Sequence, residues 1–78
     1  MGRTTQPLPV AQAFGDRLRA RRRQRGWTLE RLGEEAGLHW TYVGSVERGE
    51  RNVSLVNIVR LAAALGVDPS DLVGGLKP

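Results

Sequence analysis

Nucleophilic and metal chemistry have little to work with in this chain. It has no cysteine and a single histidine, His39, and its 8 acidic residues are scattered without metal-ligand spacing or a Gly-rich phosphate loop. No catalytic residue, cofactor or metal site is expected, and the chain does not read as an enzyme. What it does hold is positive charge. Lys and Arg number 12, every one except Lys77 an arginine, and the net charge is +4. That balance favours a polyanionic partner, nucleic acid or an anionic membrane surface. Side chains able to recognise such a partner include His39, Trp40, Thr41, Tyr42, Ser45, Arg48, Arg51 and Asn52. What they can do depends on the elements that carry them.

Residues 1–9, with Thr4, Thr5, Pro7 and Pro9 and little to bury, have the composition of a flexible arm. Residues 10–78 are expected to form one domain. From Val10, the residues Phe14 and Leu18 and the stems of Arg21 and Arg22 follow helical spacing as far as a stop at Gly26. Thr28 stands where a second helix needs its N-cap, Leu29, Leu32 and Ala36 form its apolar face, and Gly37 ends it. A third helix is expected over Trp40 to Arg48, with Val43 and Val46 inward and Gly49 as its end. Asn52 or Ser54 can cap a fourth, whose buried face is read as Leu55, Ile58, Leu61, Ala62 and Leu65 before Gly66. Asp68 as cap and Pro69 at the first helical position open a fifth that ends near Gly74 and Gly75. Nothing alternates with period two, so the fold class is all-α, without a repeat or a second domain.

The second and third helices carry the specific signal. They are joined by the turn Gly37-Leu38-His39, with Gly33 small enough for a close crossing and Leu32, Ala36, Leu38, Val43 and Val46 placed to set the angle between them. Two short helices joined in this way form a helix-turn-helix unit. The six arginines from Arg17 to Arg25 go most of the way round the first helix at 100° per residue, so most of them read as a solvated, attractive face. Arg21 stands where its stem can snorkel over the edge of the core.

From Phe14 to Val73 the chain resembles the Xre/Cro-type helix-turn-helix regulators, a family of phage repressors and restriction-modification controller proteins. The segments that carry the resemblance are RRRQRGWTLERLGEEAGL, TYVGSVERGERNVSLVNIVRLAAALGV and DPSDL, with ERGERNVSL most like the controller proteins. The resemblance implies a five-helix lambda-repressor-like domain with the third helix in the major groove of double-stranded DNA. It implies an interhelical ion pair between Arg22 and Glu47, for which a planar guanidinium is well suited. His39, Trp40, Thr41, Tyr42, Gly44, Ser45 and Arg48 are then the outward residues, and base readout falls to His39, Trp40, Thr41, Tyr42 and Ser45. Thr41 can meet a thymine methyl. Tyr42 either touches DNA or packs with only its hydroxyl wet, and Trp40 either reads shape or anchors against the second helix. Short side chains at Gly44 and Ser45 shift part of the specificity to DNA shape.

Phosphate contacts are expected from Thr28, Arg48, Arg51 and Asn52, near helix N-termini that attract anions. Leu29 replaces the family's frequent phosphate-binding Gln, and Arg31 the frequent capping-box Glu, which leaves that cap one-sided. Val59, Ala63, Leu72, Val73 and Leu76 offer more apolar surface than a core of this size needs, so a homodimer is expected, with recognition helices about 34 Å apart on a palindromic operator. The alternative is that this surface closes over the monomer's own core. The function that follows is a sequence-specific transcriptional regulator, either a restriction-modification controller or an autoregulator. An antitoxin or interaction adaptor would share every fold-determining residue. Since no stretch approaches a membrane span or a signal peptide, the expected location is the cytoplasm, with the nucleoid and without membrane contact. The chain ends soon after the fifth helix, and no small-molecule effector is expected.

Overall fold

The computed structural model describes residues 8–78. It contains α1 (Pro9–Gln24), α2 (Leu29–Ala36), α3 (Trp40–Glu47), α4 (Leu55–Leu65) and α5 (Ser70–Val73), with no strand among the described residues. Residues 1–7 of the expected arm lie outside the described residues. Pro9, assigned above to that arm, is instead the first residue of α1, where its fixed φ suits a helix start and its missing N–H has no intrahelical role.

Each later helix is closed by a local device. Thr28 Oγ1 accepts from the Arg31 N–H at 3.0 Å, Ser54 Oγ from Asn57 N–H at 3.1 Å, and the Asp68 carboxylate from Ser70 N–H at 2.9 Å. Pro69 is the residue before α5 rather than its first, although its backbone is already helical. The α2–α3 turn depends on left-handed backbone. Gly37 has φ +73°, which brings Leu38 N–H onto the Gly33 carbonyl at 2.8 Å and starts α3 three residues later.

Phe14, Leu18, Leu32, Ala36, Val43, Val46, Leu61, Ala62, Leu65 and Leu72 share one buried cluster. Helix α3 is held between α1 and α2, α4 packs on α2, and α5 packs on α1. Two expectations change here. Leu72 is 0% exposed, so it seals the monomer's core and is unavailable to a second copy. Leu55 is 76% exposed rather than buried, because in the first turn of α4 it stands about 80° round the helix from Leu65, towards the exposed Val56 and Val59. No helix among the described residues is long and apolar enough to cross a membrane.

Candidate nucleic-acid interface

Two glycines set the pose of α3. A Cβ on Gly33 would sit 2.5 Å from the Leu38 carbonyl oxygen, and one on Gly15 would sit 2.6 Å from the Glu47 carbonyl oxygen and also press on that of Val46. Both obstacles are backbone, so α2 and α1 approach α3 as closely as they do only because those side chains are missing. The Gly15 contact is a feature that the sequence reading missed. A glycine in the middle of an amphipathic helix is its signal.

Beside that crossing, Arg22 grips Glu47 as a fork, with Nε on one carboxylate oxygen at 2.6 Å and Nη2 on the other at 2.9 Å. Its Nη1 donates to the Trp27 carbonyl at 2.8 Å. Arg19 adds a second cation, with its Nε 3.3 Å from Glu47 Oε1. The Glu47 side chain is 3% exposed and that of Arg22 13%. Hydrogen bonding to Glu47, against some burial, holds the Arg22 guanidinium even more firmly protonated than usual. The end of α3, the last turn of α1 and the α1–α2 turn are thus tied at one point.

The arginines of α1 are mostly not a solvated face. Besides Arg19 and Arg22, Arg17 Nη1 donates to the Gly74 carbonyl at 2.6 Å, Arg25 Nε to the Leu65 carbonyl at 3.1 Å, and Arg21 lies 3.7 Å from the Asp71 carboxylate. Arg17 and Arg25 thereby satisfy carbonyls at the ends of α5 and α4, groups that a helix leaves unpaired. Periodicity cannot reveal this, because the acceptors are distant in sequence. Trp27 lies between the guanidinium groups of Arg25 and Arg31, each 4.8 Å from the ring centroid.

The exposed surface of α3 is its first turn. His39 caps the helix through Nδ1, which accepts from Thr41 N–H at 3.2 Å and lies 2.7 Å from Thr41 Oγ1. Trp40 is 45% exposed, with its ring stacked on His39 at 6.0 Å, and Thr41 is exposed. Tyr42 is half-buried, and its hydroxyl accepts from Asn57 Nδ2 at 3.1 Å.

Ser45 does not belong with these residues. It is 5% exposed, it donates to the Tyr42 carbonyl at 2.6 Å and it accepts from Arg51 Nε at 3.0 Å, so it is turned away from any base edge. Gly44 is buried too, against Leu29 and Arg48. One helical turn separates Ser45 from Thr41, but the Arg51 side chain, from the loop after α3, reaches back to the Ser45 hydroxyl.

Among the phosphate candidates, Thr28 is exposed and serves as a cap, and Asn52 is exposed beside the start of α4. Arg48 is exposed and closed onto Glu50 by two bonds of 2.9 and 3.2 Å. That bonding, with the nearby positive charges of Arg48 and Arg51, holds the Glu50 carboxyl below its ordinary range. Arg51 lies with its guanidinium 5.8 Å from the centre of the Tyr42 ring. On the opposite side of α4, Leu55, Val56, Val59 and Ala63 are exposed along a stripe about 100° wide, and Val73 in α5 is exposed as well. Leu76 is half-buried against the core.

Residues 18–72 match the Helix-turn-helix family model. The chain is 46% identical over 61 residues to the Control protein C.BamHI of Bacillus amyloliquefaciens, covering 77% of this chain and 75% of that one. Its fold superposes on the restriction-modification controller protein C.AhdI of Aeromonas hydrophila with a TM-score of 0.78 at 52% identity, over 80% of this chain and 94% of that one. The P22 c2 repressor, crystallised with a synthetic operator, matches with a TM-score of 0.75 at 31% identity, over 82% of this chain and 97% of that one.

Proposed function

The chain belongs to the helix-turn-helix family, and from that premise we propose that it is a sequence-specific DNA-binding transcriptional regulator that lays α3 in the major groove. The observation that carries this reading is the exposed first turn of α3, His39, Trp40 and Thr41, on a frame fixed by Gly33, Gly37, Gly15 and the Arg22–Glu47 pair. The likeness to restriction-modification controllers favours a controller or autoregulator over an antitoxin.

In this reading His39, Trp40 and Thr41 meet base edges, Tyr42 offers its remaining hydroxyl proton at the groove's edge, and Arg48, Arg51, Asn52 and the N-terminus of α2 at Thr28 take phosphates. The Trp40 indole presents one donor and a broad apolar face, so it reads a thymine methyl or groove shape rather than a donor–acceptor pair. The stripe Leu55, Val56, Val59 and Ala63, with Val73, pairs two copies about a two-fold axis, which matches a palindromic operator. The protein then acts in the cytoplasm, at its own promoter, without an effector or catalytic step.

The test is a titration of labelled duplex, taken from the DNA upstream of the coding sequence, against a scrambled duplex at several salt concentrations. Tight binding to the first, much weaker binding to the second, and a log–log salt slope of about −0.9 per phosphate neutralised are expected. Equal weak binding to both would remove sequence specificity. Absence of binding at low salt would remove DNA as the partner.

A further inference from the structure

Ser45 is a polar residue buried in the middle of the helix that meets DNA, and neither base readout nor the core explains it. Its hydroxyl proton is committed to the Tyr42 carbonyl at 2.6 Å. With the proton spent, the oxygen can act only as an acceptor, and it faces the Nε–H of Arg51 at 3.0 Å.

The guanidinium is fixed from a second direction by the Tyr42 ring, whose centre is 5.8 Å from Arg51 Cζ. That ring is in turn held from α4. Asn57 Nδ2 donates to the Tyr42 hydroxyl at 3.1 Å, and the Asn57 backbone N–H is anchored on Ser54 Oγ at 3.1 Å. Arg51 therefore uses Nε internally, while its Nη groups make no hydrogen bond among the described residues. The neighbouring carboxylate does not occupy them, because Glu50 is closed onto Arg48. By contrast, Arg17 and Arg22 spend Nη groups on carbonyls or on Glu47. Arg51 is left with the end of its fork free, on the exposed edge between α3 and α4, in a pose set by two contacts.

We propose that Ser45, with Tyr42 and Asn57 behind it, is a positioning residue that holds Arg51 ready for a phosphodiester of the DNA backbone. The proposal rests on the DNA-binding reading above. A guanidinium fork suits two phosphate oxygens, and a long side chain already ordered in the free protein loses less freedom on binding. Asn57 stands out in the sequence as the one amide in the otherwise apolar run LVNIV, yet only the fold brings it to Tyr42.

The experiment compares the full-length protein with Arg51→Ala, Ser45→Ala and the double variant, on the upstream duplex and on a scrambled duplex across a salt series. Thermal unfolding is followed in parallel. Arg51→Ala is expected to weaken binding to both duplexes about tenfold and to reduce the salt slope by about 1. Ser45→Ala retains the charge, so it should weaken both by roughly three- to fivefold with an unchanged slope, and cost nothing further once Arg51 is gone. Ser45→Cys, which keeps a single γ atom but is a weak acceptor, should behave like Ser45→Ala, so the outcome does not hang on one variant's folding.

Additive losses in the double variant, or full affinity in Ser45→Ala and Ser45→Cys, would overturn the positioning role. Loss confined to the upstream duplex in Arg51→Ala would make Arg51 a base reader and overturn the phosphate assignment. Wild-type protein that ignores DNA at low salt would instead defeat the DNA-binding reading itself.

Discussion

Glu47 is the residue on which most of the interface frame converges, since the carboxylate at the end of α3 is buried and meets two arginines of α1. A charge in that position is costly unless its partners stay in place. Arg22→Ala leaves Glu47 with Arg19 alone and frees the Trp27 carbonyl, and it is expected to lower the unfolding free energy by about 3 kcal/mol. For a domain of this size that is a fall in Tm of roughly 12 °C or more, read by circular dichroism. Arg22→Lys keeps the charge but not the fork, so it should fall between wild type and Arg22→Ala; a Tm unchanged in both variants would mean that the pair holds nothing. The resemblance to a known family named this pair from the sequence. Composition could not, because five arginines crowd α1 and nothing local distinguishes Arg22 from Arg23.

At the scale of elements, what matters is how closely α1 and α2 come to α3. The Gly15→Ala methyl would meet the Val46 and Glu47 carbonyls, and backbone cannot turn aside as a side chain can. The helices must separate, at a cost of about 2 kcal/mol. The recognition helix should shift with them, so DNA affinity is expected to fall even under conditions where the variant is fully folded. Urea unfolding together with the salt-series titration checks both parts; a variant that loses stability but binds normally would show that the α1–α3 approach does not set the pose of α3. Helix existence, caps at Thr28 and Ser54, and the Gly37 turn were legible from local sequence, because each depends on residues within four positions. The facing of α4's first turn was not. Leu55 fits an apolar pattern equally well inside or outside the core, and only the packed fold shows that it is exposed.

For the whole molecule the question is how one small body covers an operator. Eight residues of α3 span about 12 Å, a fraction of the roughly 34 Å of one DNA turn. Two copies supply two such helices. The exposed stripe of α4 lies outside the core, so Val59→Asp should leave the fold intact while placing a charge in the proposed contact between copies. Sedimentation is expected to show a dimer for the wild type and a monomer for the variant at the same concentration, and binding to a two-half-site duplex should weaken on the order of a hundredfold. A variant that remains dimeric would move the interface elsewhere. Net charge of +4 acts at this same scale, drawing the body towards DNA without choosing a sequence.

The sequence by itself determined five helices and the turn between α2 and α3, and its net charge of +4 pointed towards a polyanion. These follow from periodicity, capping and composition, which are properties of short windows or of the chain as a sum. Tertiary structure alone decided that Ser45 and Gly44 turn inward, that Leu72 closes the core, and that the arginines of α1 cap distant helices. It also decided that Arg51 rests on Ser45 and Tyr42. Those outcomes depend on which surfaces meet across the fold, and a side chain's chemistry does not reveal in advance which carbonyl, carboxylate or ring will be brought beside it.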